Sequence, residues 1–272
     1  MKWLLFLPFG YGFNTRAKTP VHRLSFLALI LAPIVLNVSL MTRMQFDLVI
    51  FVLAFLAMYV TYEVGYIFND VYTANKEKKP TQWLDDDKVA YVHDKFPLLV
   101  AMRGLYVSVI LVVLYIYKIP NYELFIIGLA LMTVAFSFHN YFRGKQNVFT
   151  DGALQFFKYT IVLLPFGAGM NLALYVLFIY FEIAFERTLE FAIGKKHFLK
   201  VLQKYNIDNL RIVYYIILFI LSMILIAMNK EIISLAIGTF YLLLYRVFCK
   251  LLTLNKSVRI VRKSNSKETK NE

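Results

Sequence analysis

Eight apolar runs dominate this chain, at residues 24–41, 46–68, 97–117, 121–141, 151–169, 171–193, 209–229 and 231–249. A helix rises about 1.5 Å per residue and a bilayer's hydrocarbon core is about 30 Å thick, so a run of about 20 residues can cross it. Inside lipid, backbone groups must pair within the segment, and a single segment can do that only as a helix. The runs therefore predict an all-α, polytopic membrane bundle of about eight transmembrane helices, here called blocks one to eight. Hydrophobic residues make up 60% of the chain and charged ones 17%, where a soluble domain has about half and about a quarter. Only residues 167–170 separate blocks five and six, which predicts a tight helical hairpin. Residues 1–258 read as one integral-membrane domain, and 259–272 as a basic, disordered tail.

The formal net charge is +13. Aromatic residues lie inside the apolar blocks, not among the basic ones, so no nucleic-acid surface is suggested. Basic loops stay on the cytoplasmic side of membranes. With the N-terminus in the cytoplasm, Lys and Arg outside the blocks fall on that side except Arg43, Lys118 and Lys230. The expectation is a multi-pass protein of the plasma (inner) membrane with both termini cytoplasmic. The single cysteine, Cys249, cannot form an internal disulfide. Residues 1–13 are apolar but short and lack a small-residue cleavage site, so they read as an interfacial segment.

Two long connections, 69–96 and 194–208, follow even-numbered blocks and share the cytoplasmic face. Long loops are often functional. Glu182, Glu186 and Glu190 precede the second. At i, i+4, i+8 they share one face of an ideal helix. Only 171–181 of block six is uncharged, too little to span. A charge at mid-bilayer costs about 2.5–3.5 kcal/mol on insertion scales. These glutamates need cations, protonation or a wet cavity. The bland reading is a helix end held by Arg187 and nearby lysines; the favoured one is a polar cavity for a cation or cationic complex.

Glu63, Asn69, Asp70 and Glu77 close block two, with Lys76, Lys78 and Lys79 interleaved. Such oxygens suit Mg²⁺ when a substrate phosphate completes the shell, and lysines beside it suit a diphosphate. The bland alternative is an ordinary helix end before a basic loop. The acidic run 85–87 reads as a solvated helix start, with Val89, Tyr91, Val92 and Phe96 on the membrane surface. Arg103 and Lys158 lie in apolar surroundings, where they can snorkel or face an anionic substrate. His139 and Asn140 close block four, and a structural hydrogen-bonding role is expected for the histidine.

The run from Asn69 to Glu77 resembles the first acidic motif, N-D-x-x-D-x-x-x-D, of the UbiA superfamily of membrane prenyltransferases. Asn69 and Asp70 match, Thr73 stands at the second aspartate and Glu77 at the last. Glu182, Glu186 and Glu190, followed by Gly194, are similar to its second motif. Arg187, Glu190, Leu202, Tyr205, Leu210 and Arg211 resemble the pattern of the decaprenyl-phosphate phosphoribosyltransferase branch. The resemblance implies a transferase using Mg²⁺, a polyprenyl lipid and a small phosphorylated or diphosphate substrate at a cytoplasmic cavity. It implies Asn69, Asp70, Glu77, Glu182 and Glu186 as metal ligands. Asp70, Glu186 and Glu190 become the catalytic carboxylates. Asn69, Lys78, Lys79, Lys158, Arg187 and Tyr205 become substrate-binding residues. In the phosphoribosyl branch the donor is phosphoribosyl pyrophosphate and the acceptor a polyprenyl phosphate. In the ordinary branch a prenyl diphosphate alkylates an aromatic or other small acceptor. A non-catalytic lipid binder or transporter is the third reading; against transport stands the lack of half-to-half symmetry.

Overall fold

The computed structural model describes residues 2–73, 84, 86–142, 144–194, 200–227 and 229–254. All regular structure among them is helical. Six helices are long and apolar enough to cross a membrane: Pro20–Met41, Leu48–Thr73, Phe96–Ile116, Tyr122–Tyr141, Ile207–Leu225 and Lys230–Leu252. They correspond to blocks one to four, seven and eight. The tail expected to be disordered lies outside the described residues, as do Glu77, Lys78 and Lys79 of the first motif.

Blocks five and six depart from the expected count of about eight. Block five is an α-helix, Asn147–Thr160, that tightens into the 3₁₀ turn Ile161–Phe166 around Pro165. Proline has no N–H to give and its ring crowds the carbonyl four residues back, so a regular helix cannot pass through it. The chain turns through extended Gly167 and restarts at Gly169, whose φ of +54° suits glycine. Asn121, left-handed at the start of block four's helix, donates to Leu164 O and Gly167 O at 2.9 and 2.5 Å and ties off this break. Block six is Gly169–Ile179, a π turn Tyr180–Ala184, then Phe185–Gly194. The hairpin holds many of the most buried side chains, among them Tyr159, Val162, Leu163, Tyr175, Ile179 and Ile183. The physical reason is its charge: Asp151, Lys158, Glu182, Glu186, Arg187 and Glu190 all belong to it, and facing lipid would leave them unpaired.

The N-terminal segment is not the interfacial strip expected. Its 3₁₀ turn Lys2–Phe6 and short helix Gly10–Thr15 pack into the bundle, with Tyr11, Gly12 and Thr15 buried. Phe9 stacks on Tyr59 with ring centroids 4.5 Å apart. Any Cβ at position 12 would stand 2.2 Å from the Tyr59 hydroxyl, so only glycine allows this approach. The helix Asp86–Asp94 also differs from expectation. Asp87 is exposed, as a solvated start requires, but Val92 packs against Leu5, Tyr11, Ile67 and Val71 inside the protein. Its apolar side covers the N-terminal segment instead of lying wholly on the membrane surface.

Candidate functional site

Block two's helix ends in a π turn, Asn69–Thr73. A π turn carries one residue more per bond than an α turn, and such turns recur at functional sites. Asp70 is thereby buried, and both its oxygens are occupied: Arg16 donates to them at 2.7 and 2.9 Å, and the Tyr11 hydroxyl donates at 2.8 Å. Burial first, and then the Asp70 charge, push the Tyr11 hydroxyl far above its usual titration range, so it stays a neutral donor. Thr73 donates to Asn69 Oδ1 at 2.8 Å. Its hydroxyl steadies the asparagine where the related motif has a carboxylate.

Two turns back, Glu63 is fully buried and accepts from Gly12 N at 2.7 Å and from Arg103 at 3.2 Å. Arg103, also at 0% exposure, donates further to the Leu5 carbonyl at 2.6 Å. The expectation that Arg103 faces an anionic substrate is therefore corrected. It locks the N-terminal segment onto the bundle.

Glu182 lies within block six's π turn and points at blocks one and eight: Asn37 donates to its Oε2 at 2.8 Å, while Oε1 abuts Gly238. Glu186 instead receives Arg246 at 3.1 and 3.2 Å, with Arg211 Nε at 3.7 Å. Glu190 receives Arg187 at 3.1 Å and also Arg211, which reaches Asp208 at 2.6 Å. All three glutamates turn toward the last two helices: Glu182 meets Gly238 and Glu186 meets Arg246 of block eight, and Glu186 and Glu190 share Arg211. Among the described residues no three His, Cys, Asp or Glu come together as a metal group. Glu77, the remaining ligand expected for Mg²⁺, lies outside the described residues.

Lys158, 7% exposed, sits over the rings of Tyr62 and Tyr159 at 5.3 and 4.8 Å. Tyr62 meets Tyr66 at 5.0 Å, and Arg16 lies 4.6 Å over Tyr66. An unbroken path of cation–π and ring contacts thus runs from Asp70 to Lys158, and Lys158 feels the charges of Asp151 and Arg187. Lys158 itself belongs to neither motif. Tyr205 is not brought there; it is half-exposed, with Lys204 over its ring at 5.1 Å. His139 is 3.3 Å from the Thr150 hydroxyl, in keeping with a structural role.

Beside the second cluster lies a cavity of about 190 Å³ with walls including Leu189, Ile193, Leu210 and Tyr214. Glu186, Glu190 and Arg211 contribute its polar side. An apolar slot with guanidinium and carboxylate groups at one side suits an amphiphile with an anionic head.

Sequence reasoning missed Tyr11, Arg16, Asn37 and Arg246 as members of this layer. Arg246 had a visible signal, a lone basic residue within an apolar block, which marks a paired or functional group by default. Arg16 had none beyond its charge. No family model, curated protein or solved structure matches this chain. Fold and site together define a helical membrane-type bundle with a buried layer of ion pairs.

Proposed function

We propose that this chain is a membrane transferase of the UbiA type that moves a phosphoribosyl group from phosphoribosyl pyrophosphate to a polyprenyl phosphate. In this reading the broken hairpin completes an eight-rod bundle, the layer faces the cytoplasm, and the membrane is the plasma membrane. The observation that carries it is the Arg187–Glu190–Arg211–Glu186–Arg246 lattice bordering an apolar slot. The slot takes an isoprenoid tail, and the guanidinium groups take a phosphate in the planar, two-pronged geometry that arginine favours.

The reaction asks for positioning and charge neutralisation more than for acid–base chemistry. An acceptor phosphate oxygen forms a bond to ribose C1. The bond from C1 to pyrophosphate breaks, and its electron pair leaves with the pyrophosphate. Lys158 holds the acceptor phosphate, while Glu186, Glu190 and Arg187 orient the ribose. The leaving charge is met either by Arg16 and the lysines that follow Asp70 or by Mg²⁺ held at Asn69, Asp70 and Glu77. Excess EDTA distinguishes the two means: activity that survives it assigns that charge to the protein's own cations, and activity lost and restored by Mg²⁺ assigns it to metal at Asp70.

A second reading, a non-catalytic binder of polyprenyl phosphate, is favoured by one observation. Asp70, Glu186 and Glu190 are all already engaged by arginines. Asp70→Asn and Glu186→Gln separate the readings. In the enzyme both abolish turnover while the protein stays folded and binds lipid. In the binder, wild type releases no pyrophosphate at all.

A further inference from the structure

Among the described residues, three side chains donate to the Asp70 carboxylate. Two belong to the N-terminal segment: the Arg16 guanidinium at 2.7 and 2.9 Å and the Tyr11 hydroxyl at 2.8 Å. The third, Asn69 Nδ2 at 3.5 Å, is long. Without the segment, a carboxylate whose side chain is 4% exposed would stand almost bare. A buried charge left without its partner is costly, so Asp70 needs a counter-charge at all times. Here that counter-charge is Arg16.

The contact is placed so that it can exchange. Asp70 lies inside the bundle, while Arg16 reaches it from the edge with 17% of its side chain exposed. The guanidinium also lies 4.6 Å over the Tyr66 ring, a face that still holds it when the carboxylate is taken. Other groups hold the rest of the segment. Gly12 N donates to Glu63, Arg103 donates to the Leu5 carbonyl, and Phe9 stacks on Tyr59. Arg16 can therefore leave Asp70 without unseating residues 2–9. The helix Gly10–Thr15 would lose the Tyr11 and Arg16 ties and loosen.

Asn69 and Asp70 carry oxygen ligands of the kind a divalent cation prefers, and the guanidinium stands where such a cation would. One carboxylate cannot give both oxygens to both partners. We propose that Arg16 is an autoinhibitory counter-cation: with the segment docked it fills and closes the Asp70 site, and a divalent cation opens the site by displacing it. Arg16's role rests on the arm of the transferase reading in which Asp70 holds metal, and the metal must then compete with the chain's own arginine. By linkage, the factor by which Arg16 weakens metal binding equals the factor by which metal weakens the hold of Arg16.

The test is Mg²⁺ binding to the purified full chain in detergent, read by calorimetry, together with amide exchange of the segment with and without Mg²⁺. Neither measurement uses a phosphoribosyl donor. Arg16→Met should bind Mg²⁺ at least about tenfold more tightly than the wild type, on the scale usual for coupled sites. Tyr11→Phe keeps the ring and removes one 2.8 Å bond, so it should shift the affinity the same way by less. Saturating Mg²⁺ should speed exchange at the Phe13, Arg16 and Ala17 N–H groups, which bond to Phe9 and Gly12, and should change nothing in Asp70→Asn. Affinity unchanged or weakened in Arg16→Met, exchange unmoved by Mg²⁺, or no Mg²⁺ binding to any variant would each overturn the proposal. The expected shifts without pyrophosphate release would keep the counter-cation and lose the transferase; release that survives EDTA, with no Mg²⁺ bound, would do the reverse.

Discussion

Replacing Arg103 with Met should unseat the N-terminal segment. Arg103 and Glu63 are both fully buried and 3.2 Å apart. Met fills much of the arginine's volume but leaves Glu63 as a buried charge held by backbone N–H groups alone, Gly12's among them. It also strips the Leu5 carbonyl of its 2.6 Å donor. Removing one partner of a buried pair costs about 3–5 kcal/mol, chiefly through the charge left behind. The double variant Glu63→Leu with Arg103→Met leaves no charge, so its loss reduces to backbone groups left unpaired, about 1–3 kcal/mol. It should therefore be more stable than Arg103→Met alone. Stability is read by thermal unfolding in detergent. Exposure of the segment is read by trypsin cleavage at Arg16, which the wild type should resist because Arg16 is bound to Asp70. A single-variant loss under about 1 kcal/mol, or a double-variant loss equal to the sum of the singles, would refute the reasoning.

Gly12→Ala drives a methyl group into the Tyr59 hydroxyl, 2.2 Å from the built position, and should cost about 1–3 kcal/mol in the same thermal assay. Gly238→Ala meets Glu182 Oε1 at 2.0 Å and should destabilise similarly. Glu182→Gln should be tolerated within about 1 kcal/mol, because the amide keeps the Asn37 bond and sheds a buried charge. A cysteine-accessibility label in the 194–208 connection should react from the cytoplasmic face of sealed vesicles, and labelling only from the opposite face would reverse the orientation.

The apolar runs made the helical membrane class legible, since length and hydropathy alone decide which segments can span. Residues 167–170 marked the turn between blocks five and six. The internal charges of those blocks marked them as unfit to face lipid, yet the sequence did not tell a spanning rod from a broken one. The acidic motifs stood out at the correct block ends, but their partners did not. Arg16 reaches Asp70 from 54 residues away, and no local pattern encodes such a pairing. Glu182 takes Asn37 of block one and Glu186 takes Arg246 of block eight, partners that no local pattern encodes. Arg103 and Glu63 were each visible as charges in apolar blocks, but their mutual pairing depends on how blocks two and three pack.

The central claim is that one charged layer, built from both motifs, transfers a phosphoribosyl group to a lipid phosphate. The most direct measurement is pyrophosphate release by the purified full chain given phosphoribosyl pyrophosphate and a polyprenyl phosphate. The account predicts release that requires both substrates and is lost in Asp70→Asn and in Glu186→Gln while each variant remains folded. Release unchanged in both variants, or no release from the wild type, would contradict it.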